Sequence, residues 1–175
     1  MIRLKNDDQI AAIRKSCHEL ADLFNEIIPR VKPGVSTKEI DDWCVDFIRK
    51  HGGKPAWHSE GFPGAACISI NEQVIHGVPS KKVFVEDGDL VSLDIGINLN
   101  GYISDSTHTV MVGNVAKEHQ KLVRVTRECL AAGIQACVRG NRISDISNAV
   151  YDIAYKQNGY GVVYEYCGHG VGLDV

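Results

Sequence analysis

Residues 90–110 have the sequence LVSLDIGINLNGYISDSTHTV. This segment gives the clearest indication of the fold. Apolar residues at positions 91, 93, 95 and 97 alternate with small or polar ones, which is typical of a β-strand with one apolar face. Residues 98–101 favour a turn, and β-type residues resume at Tyr102. The pattern therefore predicts an antiparallel hairpin.

Two carboxylates stand symmetrically about this turn. A four-residue loop at residues 98–101 would place Asp94 and Asp105 directly opposite each other, with Cβ atoms about 4.5–5.5 Å apart. A two-residue turn at Asn100-Gly101 would make the pair diagonal instead. Like charges this close favour a proton on one Asp or a cation between them. The pair is thus a candidate metal site, and an acid–base pair or two solvated aspartates remain alternatives.

Two of the seven histidines lie in glycine-rich turns. His76 precedes Gly77-Val78-Pro79, a sequence that would hold an imidazole in a fixed position. His169 lies between two glycines, which leave the ring accessible to a ligand. One His with two Asp is a mixed donor set suited to Mn²⁺, Fe²⁺, Co²⁺ or Zn²⁺. Taken alone, each histidine fits an ordinary turn or core residue better than a ligand.

Helical periodicity precedes the hairpin. Residues 7–28 predict an amphipathic helix, and a second helix begins at Ser36. Ser36 and Glu39 form a capping box, in which each side chain satisfies a free backbone N–H at the helix start. Gly52 and Gly53 end this helix. Short β-type runs follow at residues 66–70 and 82–85.

The same order of elements returns after the hairpin. Residues 117–139 predict a long helix, and residues 143–157 predict a shorter one capped near Asn141 or Ser144 and closed by Asn158-Gly159. Residues 161–166 predict a strand. At one constant offset the two halves share five matches: Gly34 with Gly140, Glu39 with Asp145, Ile40 with Ile146, Asp46 with Asp152, and Gly53 with Gly159.

These matches predict an internal duplication, with chance similarity of two amphipathic helix pairs as the alternative. The first repeat covers residues 1–112 and the second residues 115–175, within a single domain spanning residues 1–175. The second repeat stops where the counterpart of the first repeat's strands should begin, so this half is expected to be incomplete. The fold class is α/β (α+β).

Composition excludes several classes of protein. The 175 residues are 44% hydrophobic and 23% charged, which rules out a disordered or collagen-like chain. A formal net charge of −3 argues against nucleic-acid binding, and no apolar run is long enough to span a membrane. The N-terminus has no signal-peptide pattern. The six cysteines include no C-x-x-C pair, so we expect free thiols in a reducing cytoplasm.

Four segments together resemble the type I methionine aminopeptidases. They are VKPGVSTKEID at residues 31–41, CISINEQVIHGVPS at 67–80, DGDLVSLDIGINLNGYISDST at 87–107 and EYCGHGVGLDV at 165–175. Their order matches that of the family, and the resemblance runs from about residue 4 to the last residue. It implies the pseudo-twofold pita-bread fold, which agrees with the duplication.

The resemblance also implies site residues. Asp94, Asp105 and His169 match three of the family's five ligands to two divalent metals (Co, Mn, Fe, Zn or Ni), with Asp105 bridging the pair. His76 matches a histidine that contacts the substrate and assists proton transfer. Phe62 and Cys67 fall in the region that lines the methionine pocket. The other two ligands, both Glu, would lie beyond Val175, so the 175-residue chain alone is expected to be inactive and poorly stable.

The function implied is removal of the initiator methionine from the N-terminal peptides of nascent proteins, near the ribosome, by a monomeric enzyme. Two alternatives stay open. The chain could be a non-catalytic pita-bread protein that binds a peptide or partner. It could also be an Xaa-Pro dipeptidase, since GYISDST and GHGVGLDV resemble that branch of the fold as well. The INEQVIHGVP segment favours the methionine branch.

Overall fold

The predicted hairpin forms part of a four-stranded antiparallel sheet, and its first strand is the central one. The computed structural model describes residues 4–174. Its strands are β1 (Lys54–Pro55), β2 (Ala66–Ile70), β3 (Leu90–Leu99) and β4 (Tyr102–Met111). The turn residues Asn100 and Gly101 have φ values of 56° and 87°, as in a type I′ turn, whose twist matches the flanking strands. The two-residue turn is therefore confirmed, and the four-residue loop is wrong.

Strand β3 pairs with every other strand of the sheet. Strand β4 pairs with it along its whole length, from Leu90 with Met111 to Leu99 with Tyr102. Strands β1 and β2 consequently share the opposite edge, β1 at residues 97–98 and β2 at residues 91–95. Its alternation of apolar and polar residues places one face of β3 toward the core and the other away from it.

Two helices cover one face of the sheet. They are α1 (Asp7–Ile27) and α2 (Thr37–Lys50), and both match the predicted helices. Ser16 of α1 donates a hydrogen bond to Ser104 of β4 (2.9 Å), which ties this helix to the hairpin. The core between helices and sheet includes Leu20, Leu23, Ile27, Ile40, Cys44, Ile48, Ile68, Leu93, Ile95 and Ile97.

The start of α2 follows the predicted capping box. The Ser36 N–H donates to Glu39 Oε2 (2.9 Å), and the Glu39 N–H donates to Ser36 Oγ (3.2 Å). The helix ends at Lys50, and Gly52 then adopts φ 76°. A left-handed residue just past a helix end is usually glycine, because glycine has no Cβ penalty there.

The predicted strand at residues 82–85 is wrong. Only an isolated bridge between Ser36 and Phe84 forms there. Val85 exchanges backbone hydrogen bonds with Gly34 and Val35, and the Thr37 N–H donates to Val83 O, each at 2.9 Å. The segment therefore satisfies its backbone on the loop before α2 and not on the sheet.

A second compact unit, Ala116–His169, contains the other helix pair, whereas the first unit ends at Val115 and also includes the segment from Gly170 onward. Helix α3 (Lys117–Ala136) and helix α4 (Ile143–Tyr151) are followed by a π-helical turn, Asp152–Gln157. The helices approach closely at Gly133, where an added Cβ would lie 3.4 Å from Val150. Among residues 4–174, no helix is both long and apolar enough to cross a membrane.

Two expectations for this unit are wrong. Helix α4 is capped at Arg142, whose N–H donates to Asp145 (2.6 Å), and not at Asn141 or Ser144. The Asn141 amide instead donates to Ala136 O at the end of α3 (2.9 Å). Residues 161–166 form no strand, because β-type sequence becomes a strand only when a neighbouring strand pairs with it. The predicted closure at Asn158-Gly159 is confirmed, with Gly159 at φ 69°.

Candidate metal centre

Asp94 and Asp105 lie on the sheet face that points away from the helices. Asp94 pairs with Thr107, and Asp105 pairs with Gly96, so the carboxylates are diagonal neighbours on adjacent strands. Paired residues share a face, and the odd-numbered apolar residues of β3 fill the helix-facing side. Diagonal neighbours lie about 7–8 Å apart. The predicted shared face is therefore confirmed, and the prediction of direct opposition is wrong.

Cys67 reports on the electrostatics of this face. It lies on β2 directly beside Asp94 in the sheet and is 5% exposed. Burial raises the pKa of the Cys67 thiol to about 12, and the negative charges of Asp94, Asp105 and Asp41 add to the shift. Both aspartates of the pair therefore act on one thiol. Without a cation nearby, Cys67 remains a neutral, apolar wall residue.

The residues present fit a divalent metal. Asp94 and Asp105 are both half-buried, and their oxygens are donors that hard and borderline divalent ions accept. A cation on this face would relieve the repulsion between two carboxylates of like charge. The hairpin thus supplies one side of a metal site from two rigid strands.

Trp57 covers the sheet next to the pair. A Cβ on Gly96 would lie 2.8 Å from Trp57 Cζ2 and 2.9 Å from Ala56 Cβ, so only glycine leaves room for the indole. The Trp57 Nε1 is buried, and among residues 4–174 no acceptor takes its N–H. Buried polar atoms are rarely left without a partner. The sequence analysis did not single out Trp57. The available signal was a large aromatic residue shortly before Phe62.

His76 occupies a strained and exposed turn after β2. Its φ is 59°, which is uncommon for a residue with a Cβ. The following Gly77 packs onto β2, where its O accepts the Ile68 N–H (2.8 Å) and its N–H donates to Ser69 Oγ (3.1 Å). A Cβ on Gly77 would collide with the Ile68 carbonyl. The backbone beside His76 is thus held in place, as the glycine-rich turn predicted.

Phe62 is half-buried in the loop that leads into β2. Its N–H donates to Trp57 O (3.1 Å), and its ring lies close to Gly64. The loop therefore enters β2 only a few residues before Cys67. Both predicted pocket residues belong to one short segment, and their role in binding methionine stays a prediction.

His169 ends the second unit and is exposed. In the described part of the chain, no group of three or more His, Cys, Asp and Glu side chains could together hold a metal ion. The structure therefore does not test His169 as a ligand, and that assignment also stays a prediction. The metal-binding features visible here are those of the hairpin.

Asp41 is a second residue that sequence reasoning passed over. It is 1% exposed and accepts hydrogen bonds from the backbone at the start of β2. The signal was its position on α2, three residues before Cys44 and seven before Ile48, on the apolar stripe. A carboxylate on the buried side of a helix needs partners, and its position alone indicates a built polar contact.

Comparisons with known proteins agree with this geometry. The model of metallopeptidase family M24 matches residues 11–175. The methionine aminopeptidase of Treponema pallidum is 63% identical over 175 residues, which cover all of this chain and 68% of the relative.

Solved structures match the fold. The crystal structure of methionine aminopeptidase from Thermotoga maritima superposes with a TM-score of 0.95 at 32% identity, covering 99% of this chain and 70% of that one. The enzyme from Rickettsia prowazekii gives a TM-score of 0.93 at 35% identity, covering 99% and 69%. The expected pita-bread fold is thereby confirmed.

Proposed function

Because the chain belongs to metallopeptidase family M24 and, within it, to the methionine aminopeptidases, we propose that it contributes to the hydrolytic removal of N-terminal methionine from new proteins. The observation that carries the proposal is the pair Asp94 and Asp105 on one face of a rigid hairpin. The segment holding this pair also carries the family resemblance. The high identity to a methionine aminopeptidase favours this activity over Xaa-Pro dipeptidase activity.

Asp94, Asp105 and His169 would be three of the ligands of two divalent metal ions, which would supply the polarisation of a carbonyl and the lowered pKa of a water. The identity of the metals is part of the proposal, and Co, Mn, Fe, Zn or Ni would suit this donor set. The carboxylates come from paired strands, so their spacing is set by the sheet.

His76 would act on the substrate. Its imidazole is exposed, and the adjacent Gly77 is hydrogen-bonded to β2, so the ring has a fixed origin. We expect it to accept a hydrogen bond from the N–H of the scissile peptide, or to donate one to the oxygen that gains charge there. Its positive φ is a strain of the kind that concentrates at functional sites.

Phe62 and Cys67 would select the methionine side chain. Cys67 is buried and Phe62 is half-buried, so the two would supply a small apolar side chain and an aromatic wall. An apolar slot distinguishes side chains by about 1–3 kcal/mol per methylene. The slot would therefore prefer methionine to shorter side chains, with further selection needed at the second residue of the substrate.

The cellular setting is proposed from chemistry. All six cysteines are free thiols. Three are exposed, namely Cys17, Cys137 and Cys167. The other three, Cys44, Cys67 and Cys129, are buried. Free thiols suit a reducing compartment, so we place the protein in the cytoplasm. Its substrates there would be N-terminal peptides emerging near the ribosome, and a monomer would be sufficient to bind them.

The test is metal-dependent hydrolysis of Met-Gly-Met-Met, with Asp105→Asn as the variant and Asp46→Asn, an exposed residue of α2, as its control. The protein is assayed with any residues that its reading frame encodes after Val175. Asp105→Asn should lower kcat/KM by more than about 100-fold, since removing a ligand should exceed the 10–100-fold cost of outer-shell changes. A chelator should abolish activity, and the control should match the unmodified protein.

Full activity of Asp105→Asn would refute the ligand assignment. Cleavage of Xaa-Pro dipeptides in place of Met-Gly-Met-Met would favour the dipeptidase, and peptide binding without cleavage would favour the non-catalytic alternative. His76→Ala distinguishes a residue that acts on the substrate from a metal ligand. If His76 acts on the substrate, the variant should have a lower kcat and nearly the same metal content. Loss of metal in that variant would place His76 among the ligands.

A further inference from the structure

Asp41 is a buried carboxylate that the proposed chemistry does not use. It lies in the middle of α2 and is 1% exposed, among apolar neighbours such as Ile40 and Cys44. Burying an ionised carboxylate is unfavourable unless hydrogen bonds and an opposite charge compensate it. The partners of Asp41 therefore indicate why a charge occupies this position.

The first set of partners is the backbone at the start of β2. Asp41 Oδ1 accepts the N–H groups of Ala65 (2.6 Å) and Ala66 (3.2 Å). These residues follow the loop that carries Phe62 and directly precede Cys67. One carboxylate oxygen therefore holds the point at which the pocket loop becomes a strand.

Lys38 supplies the opposite charge. Its ammonium donates to Asp41 Oδ2 and to Asp42 Oδ1, both at 2.8 Å. Hydrogen bonds to Asp41 and then to Asp42 raise the pKa of the Lys38 amine. Asp41 is 2% exposed in its side chain and Asp42 57%, so only Asp41 makes this ion pair inside the protein.

Two loops meet beside Asp41 at Gly64. One is the loop of Phe62, and the other is the loop that carries His76 and Pro79. A Cβ on Gly64 would lie 2.9 Å from Asp41 Oδ1, 2.9 Å from Pro79 Cγ and 3.2 Å from Phe62 Cε1. Pro79 belongs to the loop that carries His76. The pocket loop, the His76 loop and the carboxylate are therefore in close contact at one glycine.

The first turn of α2 holds the His76 loop as well. Ser80 donates its N–H to Thr37 Oγ1 (2.9 Å), and the Ser80 carbonyl accepts from Thr37 Oγ1 and from the Lys38 N–H, both at 3.2 Å. Thr37 is 1% exposed. The N-terminal half of α2 is thus attached to both loops, at Ser80 by Thr37 and Lys38, and at Ala65 by Asp41.

We infer that Asp41 is a positioning residue for methionine specificity: through Ala65, Ala66 and Gly64 it sets the placement of the Phe62 loop and the His76 loop. This inference rests on the proposed function. Asp41 touches no substrate itself; it holds the backbone that leads from Phe62 to Cys67, and it meets the loop of His76 only through Gly64, which lies beside Pro79. Loss of its hydrogen bonds should therefore weaken substrate binding more than it lowers the rate at which bound substrate is hydrolysed.

The variants are Asp41→Ala, Asp41→Asn and, as the matched control, Asp42→Ala, which removes the other carboxylate bound to Lys38 and leaves the loops untouched. Asp41→Ala should raise KM for a Met-peptide by about tenfold or more and narrow the preference for Met over Ala at the first position, by the loss of a fixed apolar slot. Its kcat should change less than KM. Asp41→Asn keeps one acceptor oxygen, so its KM should lie close to that of the unmodified protein. Asp42→Ala should behave as the unmodified protein.

Hydrogen exchange gives a readout that does not depend on activity. Asp41→Ala should speed exchange at residues 61–67 and 76–80, whereas exchange in α1 and β4 should stay unchanged. Gly64→Ala, which keeps the carboxylate and its ion pair, should crowd the same junction and raise KM in the same way; it replaces Asp41→Ala if that variant does not fold.

The outcomes separate the inference from the proposed function. A protein that cleaves Met-peptides with KM unchanged in Asp41→Ala overturns the inference alone. A uniform rise in exchange across the first unit, with a lower apparent kcat and an unchanged KM, also overturns it, because Asp41 would then only stabilise the fold. If the unmodified protein cleaves no Met-peptide, the proposed function fails, and the inference fails with it.

Discussion

The two helix pairs start their short helices in the same way. Glu39 accepts the Ser36 N–H at 2.9 Å before α2, and Asp145 accepts the Arg142 N–H at 2.6 Å before α4. The two acidic residues are among the positions matched by the predicted duplication. A cap involves only neighbouring residues, so an acidic residue three positions after the capping residue is enough to form this contact in either unit.

The glycines before these helices agree as well. Gly34 has φ 90° and Gly140 has φ 99°, and the duplication pairs them. In neither case would an added Cβ meet another atom within 4 Å. The two glycines thus adopt the same left-handed conformation at corresponding places, although the duplication itself stays a prediction.

Burial is where the two units differ. Ile40 of α2 is fully buried under the sheet, whereas its counterpart Ile146 on α4 is half-buried. Helix α2 buries several residues in the core, whereas every residue of α4 keeps some solvent exposure. Caps and turns follow from neighbouring residues, and burial follows from what packs against the helix.

The largest expected effect tests this difference. Ile40→Ala should lower the free energy of unfolding by about 2–5 kcal/mol, since it removes a fully buried side chain and leaves a cavity. Ile146→Ala should cost about 1 kcal/mol, because less apolar area is lost. Urea unfolding followed by circular dichroism would measure both. Fluorescence adds a local signal, since Trp43 and Trp57, the two tryptophans of the chain, both lie in the first unit.

Equal losses in the two variants would contradict the comparison, because they would place Ile146 in a core as tight as that around Ile40. A smaller loss at Ile40 than at Ile146 would reverse it.

The glycines should respond alike. Gly34→Ala and Gly140→Ala should each cost about 1–2 kcal/mol, because a residue with a Cβ is strained at positive φ. Gly161→Ala is the control: its Cβ also meets nothing, and its φ is not in the left-handed region. Thermal unfolding of the three variants would check this. A harmless Gly140→Ala with a costly Gly34→Ala would show that the two turns are not equivalent.

The smallest expected effect is a pH dependence of the α2 cap. Hydrogen bonds from the Ser36 side chain and then its backbone lower the pKa of the Glu39 carboxyl. Ionised Glu39 therefore stabilises the fold above its ordinary pKa of about 4.3, and this stabilisation is lost as the pH falls through the lower folded-state value.

Glu39→Gln keeps the shape of the cap without the charge. Its melting temperature should be slightly below that of the unmodified protein at neutral pH, and the gap should close in acid. The exposed loop variant Glu72→Gln serves as the control. A gap that widens in acid would contradict the direction of the shift.

Prediction from the sequence succeeded where the deciding interactions are local. The capping box at Ser36, the strand Ala66–Ile70 and the shared face of Asp94 and Asp105 all follow from patterns a few residues long. It left the turn length of the hairpin open between four and two residues, because that length depends on whether Asn100 and Gly101 both adopt positive φ. It failed at residues 82–85, where extended backbone found its partner on another loop.

Residues close in the chain were enough to specify the helices, the alternation of the hairpin and the motifs that identify the family, because periodicity and caps are local. The contact of Asp41 with Ala65 and the fit of the Trp57 indole over Gly96 became visible only in the folded chain. Those contacts join residues far apart in the chain, and no local pattern specifies them. They form because packing buries groups that must then find a hydrogen bond or a matching shape.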